Sequence, residues 1–381
     1  MTKLRVDIVQ PFLPHYSEAF FKELQRSSVI EEIQVFADVQ NTGDLHSQAS
    51  RGSISVLHIP LVRRLGFVFR PGRLRALLRS RAQICVLSAD PRDLGAIWLC
   101  VLLRLIGKRV VFWGMFHRIG GPTFVSQAMY RIMAKVSDAC ISYARIGGLN
   151  LISLGAHPEK IFVAGTAIDE RQPLGIAANL SAADMRQFRA EKGLGDRKII
   201  LQIVRLSRIK QPGKLLELAE ELLRRGREDF LIVAIGGGEM FDEIKHEVSR
   251  RSLNDVFYVL PPEYDEPTVA RWFLVSEVFT IPTCIGLSAH HAFSYGVPIV
   301  SDDSLTQQAS EYEALSDGHN ALLYEAGNVR SYADAIETIL DNPELRARLS
   351  KGAKATVVGS FSMARKVQAF MKVFDQLARK A

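Results

Sequence analysis

The chain has few of the residues that mark disulfide-rich, secreted or membrane-spanning proteins. Its 381 residues include four cysteines, none in a C-x-x-C pair, which favours buried, reduced thiols over a disulfide framework. The longest apolar run, Leu94 to Leu103, is far shorter than the roughly 20 residues that a membrane-spanning helix needs. The first residues are typical of a strand, not of a leader with a long apolar core, so we predict no signal peptide and a cytoplasmic location.

Motifs for metal ions and dinucleotides are missing as well. The sequence contains no Asp-x-Asp, no His-x-x-x-His and no clustered cysteines, and its glycines do not form G-x-G-x-x-G. The neighbouring Asp302 and Asp303 are interpreted most simply as polar residues that close a strand. We therefore predict that the protein uses no metal ion and no cofactor.

Acidic residues are scarce in one part of the chain. Between Arg51 and Asn150 there are sixteen Lys and Arg residues and three Asp residues, a net charge of 16 − 3 = +13. The whole chain carries +7, so the remainder carries 7 − 13 = −6. This asymmetry predicts an anionic partner for the first half, either a phosphorylated acceptor or the anionic surface of a membrane, although a solvated basic surface explains it equally well. Without interleaved aromatic residues or a known motif, we predict no nucleic-acid partner.

Strand-like runs alternate with helical patterns along nearly the whole chain, which indicates doubly wound parallel sheets. The alternation breaks between Gly165 and Gly195, where glycine and proline are frequent, and a chain of this length favours two domains. We predict two Rossmann-like domains that face each other across a cleft. Their predicted bounds are residues 1–170 for the first domain, 171–195 for a linker, 196–358 for the second domain and 359–381 for a C-terminal helix that returns to the first.

The stretch from Val278 to Asp303 predicts a strand, a tight turn, a short helix and a second strand. Ser288 is the predicted N-cap of this helix, and Gly296 ends it. Ligands bind at the carboxyl ends of parallel strands, and a helix N-terminus there favours anions. Gly286, Leu287 and Ser288 are therefore candidate anion-binding residues.

Two cations are predicted to face the same place. Arg205 and Lys210 follow the first strand of the second domain, where their charges would meet a diphosphate, although a solvated loop is the more common fate of such residues. Gly238 closes the next strand, and a glycine there would let the backbone approach a phosphate, although an ordinary turn also explains it. His291, on the predicted helix, would be a neutral donor or acceptor for a hydroxyl group, or else an ordinary packed histidine.

A candidate from the first domain is His117, which follows a predicted strand, Arg109–Trp113. At the carboxyl end of that strand it could exchange a proton or orient a hydroxyl group. It is one of nine histidines, so its position alone carries little weight.

Taken together, these motifs resemble the retaining glycosyltransferases of family 4, which have the GT-B fold. The segment I-V-R-L-S-R-I-K is similar to the family's G-R-L…K-G segment, and G-L-S-A-H-H-A-F-S-Y-G-V-P-I-V is similar to its G-L-…-E-A-…-G-x-P-V-V block. S-D-G-H-N-A-L-L-Y resembles its D-G-x-N-G segment. The resemblance implies that Arg205 and Lys210 bind the diphosphate of a nucleotide sugar, and that the amides after Gly286 meet its phosphate.

The sequence departs from the family where it has a pair of glutamates. Those positions hold Thr283 and His291 here; the resemblance links the first to the donor sugar and phosphate and the second to ribose hydroxyls. His291 could still bond a ribose, but Thr283 cannot supply a carboxylate charge.

The resemblance implies a metal-independent transferase of the hexosyltransferase type that moves a sugar from a nucleoside-diphosphate sugar to a glycan or lipid-linked acceptor. It would act in the synthesis of a surface polysaccharide or glycolipid, at the inner face of the cell membrane. A catalytically inactive GT-B protein that binds a nucleotide sugar or a partner enzyme is the alternative. A sugar-nucleotide epimerase is less favoured because no carboxylate pair is available as its acid and base.

Overall fold

The computed structural model describes residues 3–40 and 54–379, which pack as two units. The first unit holds Met1–Ile168 together with Met363–Ala381, and the second holds Asp169–Ser362. Most of the polar segment 38–52 lies outside the described residues.

The first unit is a doubly wound sheet with a small hairpin. Its strands are β1 Leu4–Val9, β2 Ile30–Ala37, β3 Ser55–His58, β4 Val62–Arg64, β5 Phe67–Phe69, β6 Ile84–Ser88, β7 Arg109–Gly114, β8 Ala139–Ser142 and β9 Ile161–Val163. Its helices before the second unit are α1 Glu18–Gln25, α2 Arg73–Arg79, α3 Leu94–Leu105, α4 Phe124–Val136 and α5 Arg145–Ser153. Seven parallel strands form the sheet in the order β3-β2-β1-β6-β7-β8-β9, while β4 and β5 form an antiparallel hairpin.

The second unit is also a doubly wound parallel sheet. Its strands are β10 Lys198–Ile203, β11 Phe230–Ile235, β12 Phe257–Leu260, β13 Val278–Thr280, β14 Ile299–Asp302 and β15 Ala321–Tyr324, in the order β12-β11-β10-β13-β14-β15. Its helices are α6 Arg171–Asn179, α7 Ala182–Glu191, α8 Lys214–Arg224, α9 Phe241–Arg250, α10 Glu266–Leu274, α11 Ser288–Ser294, α12 Val329–Asp341 and α13 Pro343–Gly359. Strand β11 is buried along its whole length, which explains why its sequence is a continuous apolar run, whereas the equally buried β13 and β14 end in the polar residues Thr280, Ser301 and Asp302.

The segment 171–195, predicted as a linker, forms the helices α6 and α7 and packs on the second unit. Pro173 lies in the first turn of α6, where a missing N–H costs little, and α6 packs against α10 and α11. Ser181 and Asp184 form a capping box that starts α7. Phe188 of α7 meets Trp272 edge to face, with 5.0 Å between ring centroids.

The last helix, α14 Met363–Ala378, packs on the first unit. The ring centroid of Phe370 lies 4.8 Å from that of Phe20 and 4.8 Å from that of Trp113. The Nζ atom of Lys366 lies 4.5 Å from the Phe20 ring centroid. This aromatic cluster fixes α14 against one face of the first sheet. None of the helices in the described part of the chain has the length and apolarity required to cross a bilayer.

Candidate functional site

The second sheet has a switch point at the carboxyl ends of β10 and β13. These strands are neighbours, with Ile200 beside Val278, although β11 and β12 lie between them in the chain. The loops after β10 and β13 therefore leave the sheet side by side and then diverge. In open α/β sheets such a crevice is the usual place for a ligand.

Lys210 connects the two loops at this switch point. It ends a 3₁₀ turn, Arg208–Lys210, and its Nζ donates a hydrogen bond to the carbonyl oxygen of Cys284. A Cβ atom at Gly286 would lie 3.2 Å from the same Nζ, so the ammonium group lies directly beside that glycine. Burial lowers the pKa of Lys210, whereas the nearby Glu311 favours its charged form. The structure thus brings Lys210 and Gly286 together, as the sequence predicted.

Arg205 belongs to the loop after β10, and its side chain lies against the glycine turn that follows β11. Its Cγ would be 3.1 Å from a Cβ atom at Gly238, and the residue is exposed. The Leu206 amide donates to the Gly237 carbonyl oxygen at 2.8 Å, which ties the Arg205 loop to this turn. Gly236 has φ +154° and leaves no room for a Cβ, which would lie 1.9 Å from the Val204 carbonyl oxygen. Glycine is therefore required in this turn because the loop after β10 packs directly against its backbone.

The start of α11 differs from the prediction in one detail. Ser288 is the first helical residue, and Leu287 occupies the N-cap position without a side-chain bond to the helix. The predicted Ser288 cap is therefore wrong. The loop before the helix is fixed instead by Gln308, whose Oε1 accepts the Ile285 N–H at 2.8 Å. The amides at the beginning of a helix have no acceptor within it, so those near Gly286 remain suited to an anion.

His291 is paired with a carboxylate that the sequence analysis did not identify. Its Nε2 lies 2.6 Å from Oε1 of Glu266, the first residue of α10. The same Oε1 accepts a hydrogen bond from the Tyr295 hydroxyl at 2.6 Å; burial, and then this bond, raise the pKa of Tyr295. Because Glu266 accepts hydrogen bonds when ionised, it orients the His291 ring with a proton on Nε2.

Thr283 also lies near a carboxylate. Asp302 ends β14 and is 2% exposed, and its amide donates to the Pro282 carbonyl oxygen at 3.2 Å. Burial raises the pKa of Asp302, while the Thr283 hydroxyl and the Gln308 amide beside it act in the opposite direction. Nε2 of Gln308 donates to Oδ1 of Asp302 at 2.8 Å. Each position where the family has a glutamate is thus accompanied by a carboxylate from another part of the chain.

His117 lies in the first unit, in the loop after β7. Its Nδ1 is 3.1 Å from the Met115 carbonyl oxygen, which can only accept a hydrogen bond. The proton of a neutral His117 ring is therefore on Nδ1, and Nε2 is left as an acceptor for a hydroxyl group. Gly147 of α5 packs against this loop so closely that a Cβ would lie 1.9 Å from the Met115 carbonyl oxygen.

Comparison with solved structures defines the class of fold. A glycosyltransferase from Rickettsia africae is 12% identical, with a TM-score of 0.76 over 100% of both chains. Alr3699/HepE of Anabaena, solved in complex with UDP, is 15% identical, with a TM-score of 0.74 over 99% of this chain and 100% of that one. The two Rossmann-like units thus form a GT-B fold, as predicted.

The second unit matches a known family. Residues 184–356 match the model of the family described as Glycosyl transferases group 1. D-inositol 3-phosphate glycosyltransferase of Frankia alni is 28% identical over 216 residues, which are 54% of this chain and 50% of that protein. The chain spans about half the length of this curated relative. The resemblance noted in the sequence is confirmed.

The structure brings most of the predicted donor residues to one edge of the second sheet, and it adds two residues that sequence reasoning missed. Glu266 gave no signal, because its pairing with His291 depends on how α10 lies beside α11. Asp302 was interpreted only as a polar residue that closes a strand, although an aspartate at the carboxyl end of a strand faces the ligand edge of a parallel sheet. In the described part of the chain, no group of three or more His, Cys, Asp or Glu residues could hold a metal ion.

Proposed function

We propose that the chain is a retaining, metal-independent glycosyltransferase that takes a sugar from a nucleoside-diphosphate donor. The observation that carries the proposal is the position of the Lys210 ammonium beside Gly286, at the switch point of a unit that matches the group 1 family model. The relatives named as glycosyltransferases, and the UDP bound by the Anabaena protein, support a nucleotide sugar as the donor.

Catalysis would be electrostatic. When the glycosidic bond to the donor phosphate breaks, negative charge grows on the departing diphosphate. Lys210, Arg205 and the amides from Gly286 to Ser288 would stabilise that charge with groups already in place before the reaction. Because the protein supplies these cations and amides, we expect transfer to continue in the presence of a chelator.

The acceptor would be a glycan or lipid-linked molecule held by the basic first unit. His117 would accept a hydrogen bond from a sugar hydroxyl at Nε2, since its other nitrogen is bonded to Met115. The resemblance implies attack on the face from which the diphosphate leaves, without a protein nucleophile, and hence retention at the anomeric carbon. We propose synthesis of a surface polysaccharide or glycolipid as its context, in the cytoplasm at the inner face of the cell membrane.

A donor screen tests the proposal. We expect one class of nucleoside-diphosphate sugar to raise the unfolding temperature, since ligand at 100 times its Kd stabilises a protein by about 2.7 kcal/mol. Transfer from that donor to a panel of glycan and lipid-linked acceptors should continue in EDTA. Proton NMR of the product should show the anomeric configuration of the donor. An inverted product, or dependence on a divalent ion, would contradict the proposed chemistry.

The replacement of the family's glutamates favours one alternative, a GT-B protein that binds a nucleotide sugar without transferring it. Thr283 is 1% exposed and carries no charge. Binding in the donor screen without turnover on any acceptor would support this alternative. Turnover that disappears when Lys210 is substituted would exclude this alternative.

Glu266→Gln is expected to weaken donor binding several-fold while leaving kcat nearly unchanged. We propose that His291 bonds a ribose hydroxyl, and the Glu266 carboxylate holds its ring through a charge-assisted bond worth about 1.5–3 kcal/mol. The substitution preserves the shape but removes the charge. The measurement is KM against kcat, together with nucleoside-diphosphate affinity by calorimetry.

Asp242→Asn, which removes an exposed carboxylate from α9, is the control and should alter neither quantity. If Glu266→Gln leaves donor affinity at the level of this control, Glu266 has no positioning role.

A further inference from the structure

Exposed large apolar side chains are concentrated on the first unit. Of the 24 such residues in the described part of the chain, 20 belong to this unit, and 12 of those lie between Leu57 and Ile106. In the second unit only Ile209, Tyr264, Leu305 and Val358 are of this kind among the described residues. Single exposed apolar residues need no explanation, but a local concentration of them indicates a surface that meets another apolar phase.

The centre of this concentration is α3, whose sequence is apolar on every side except at Arg104. Its inner side packs into the first unit through Leu99, Cys100 and Leu103. The α3 face, defined here as its exposed Leu94, Trp98, Leu102 and Leu105, repeats at helical spacing on the other side. Trp98 is 72% exposed and Leu105 is 78% exposed. The helix is therefore apolar toward the core and equally apolar toward its surroundings.

The hairpin formed by β4 and β5 presents a second apolar surface beside α3. Val68 is buried on its inner side, where β5 packs against α3. On its outer side Val62 pairs with Phe69 and Arg64 pairs with Phe67, and all four residues are exposed. Leu65, at the tip, is 89% exposed.

Helix α2 also packs against α3 and adds both apolar and basic groups. Its exposed side carries Leu74 and Leu78, and Arg75 and Arg79 stand beside them. The 22 residues from Pro60 to Arg81 contain seven arginines and no acidic residue. Arg70 and Arg73 are buried and paired with Asp93, whereas the other five arginines are exposed, so positive charge lies beside the exposed leucine and phenylalanine side chains.

We propose that the α3 face, the outer side of the hairpin and the exposed side of α2 together form a docking surface for an anionic lipid bilayer. Tryptophan, leucine and phenylalanine side chains enter the boundary between headgroups and acyl chains, and arginines beside them meet the anionic headgroups. A symmetric contact between two copies of the chain would bring together two patches of the same positive charge, which disfavours a second copy as the occupant.

The proposal stands apart from sugar transfer, because binding to vesicles can be measured without a donor or an acceptor. Trp98 provides an intrinsic probe, since the other two tryptophans, Trp113 and Trp272, are buried. Vesicles of phosphatidylcholine with 30 mol% phosphatidylglycerol are expected to shift the tryptophan emission of the whole chain to shorter wavelength. The shift should decrease as salt is added, because salt screens the attraction between arginine and headgroup. Trp98→Phe should still sediment with the vesicles but lose the spectral shift.

Paired variants test the two components of the surface. Trp98→Ser with Leu105→Ser should lower the vesicle partition coefficient at least about tenfold, whereas Leu305→Ser with Val358→Ser, at exposed positions of the second unit, should not. Arg75→Gln with Arg79→Gln should weaken binding to anionic vesicles more than Arg186→Gln with Arg348→Gln, which removes the same charge elsewhere.

Three results would overturn the proposal. Equal, salt-insensitive binding to vesicles of pure phosphatidylcholine would remove the role of anionic lipid. If the chain with Trp98→Ser and Leu105→Ser binds vesicles as strongly as the unsubstituted chain, the docking surface does not include the α3 face. A concentration-dependent dimer in sedimentation velocity that the same pair abolishes would assign the surface to a second copy. Transfer to a soluble acceptor should be unchanged in these variants, so a failure here is distinguishable from a failure of the proposed function.

Discussion

Lys210→Met is expected to lower kcat/KM for sugar transfer by about 100-fold or more, the usual loss when one group that stabilises developing negative charge is removed. Methionine keeps the half-buried apolar stem but supplies neither the charge nor the hydrogen bond to the Cys284 carbonyl oxygen. The affinity for the free nucleoside diphosphate should fall as well, because the ammonium group lies beside Gly286, where we place the phosphate. Steady-state kinetics and calorimetry with the diphosphate measure the two effects.

Lys245→Met is the matched control, since Lys245 is an exposed residue of α9 in the same unit. It should change neither quantity. If Lys210→Met binds the diphosphate as tightly as this control, the charge at position 210 does not contact the leaving group and the proposed mechanism is wrong.

Gly236→Ala is expected to destabilise the second unit by about 3 kcal/mol or more, because it combines backbone strain with overpacking. Gly236 has φ +154°, and its Cβ would lie 1.9 Å from the Val204 carbonyl oxygen. Since Val204 precedes Arg205, relief of the clash would also displace the Arg205 loop. Urea unfolding followed by circular dichroism, together with diphosphate affinity, measures both consequences.

Gly213→Ala provides the comparison, because a Cβ at Gly213 would meet no atom within 4 Å. A change of this kind away from packed features usually stays within about 0.5 kcal/mol. Should the two variants unfold at the same urea concentration, the close contact between the loops after β10 and β11 does not matter for stability.

The parallel sheets could be predicted because buried strands leave a direct mark on the sequence. The apolar runs 199–204 and 231–235 each predict a strand, and the structure has β10 at Lys198–Ile203 and β11 at Phe230–Ile235. The hairpin of β4 and β5 was not predicted, because arginines interrupt its apolar alternation. Its turn is formed by Leu65 and Gly66, which both have positive φ, as is typical of a tight hairpin turn. The glycine was the only mark of this turn in the sequence.

The site was predictable only where its residues are close in the chain or follow strands. Lys210 and Gly286 were found because both follow strands that share a switch point. The Glu266 carboxylate was missed because its contact with His291 spans 25 residues and depends on packing between helices. Helix α6 was missed for a similar reason: its glycine and proline favour a loop, and contacts with α10 decide otherwise.

The position of α14 has a consequence for the order in which the protein is completed during translation. The ribosome makes all of β1 to β9 before the second unit begins, yet Phe370 is added only after that unit has been synthesised. Until then, Phe20 and Trp113 lack the ring that packs against both of them. During synthesis, the first unit therefore stays incomplete, with aromatic side chains uncovered, until α14 has been made, whereas the whole of the second unit is synthesised before α14.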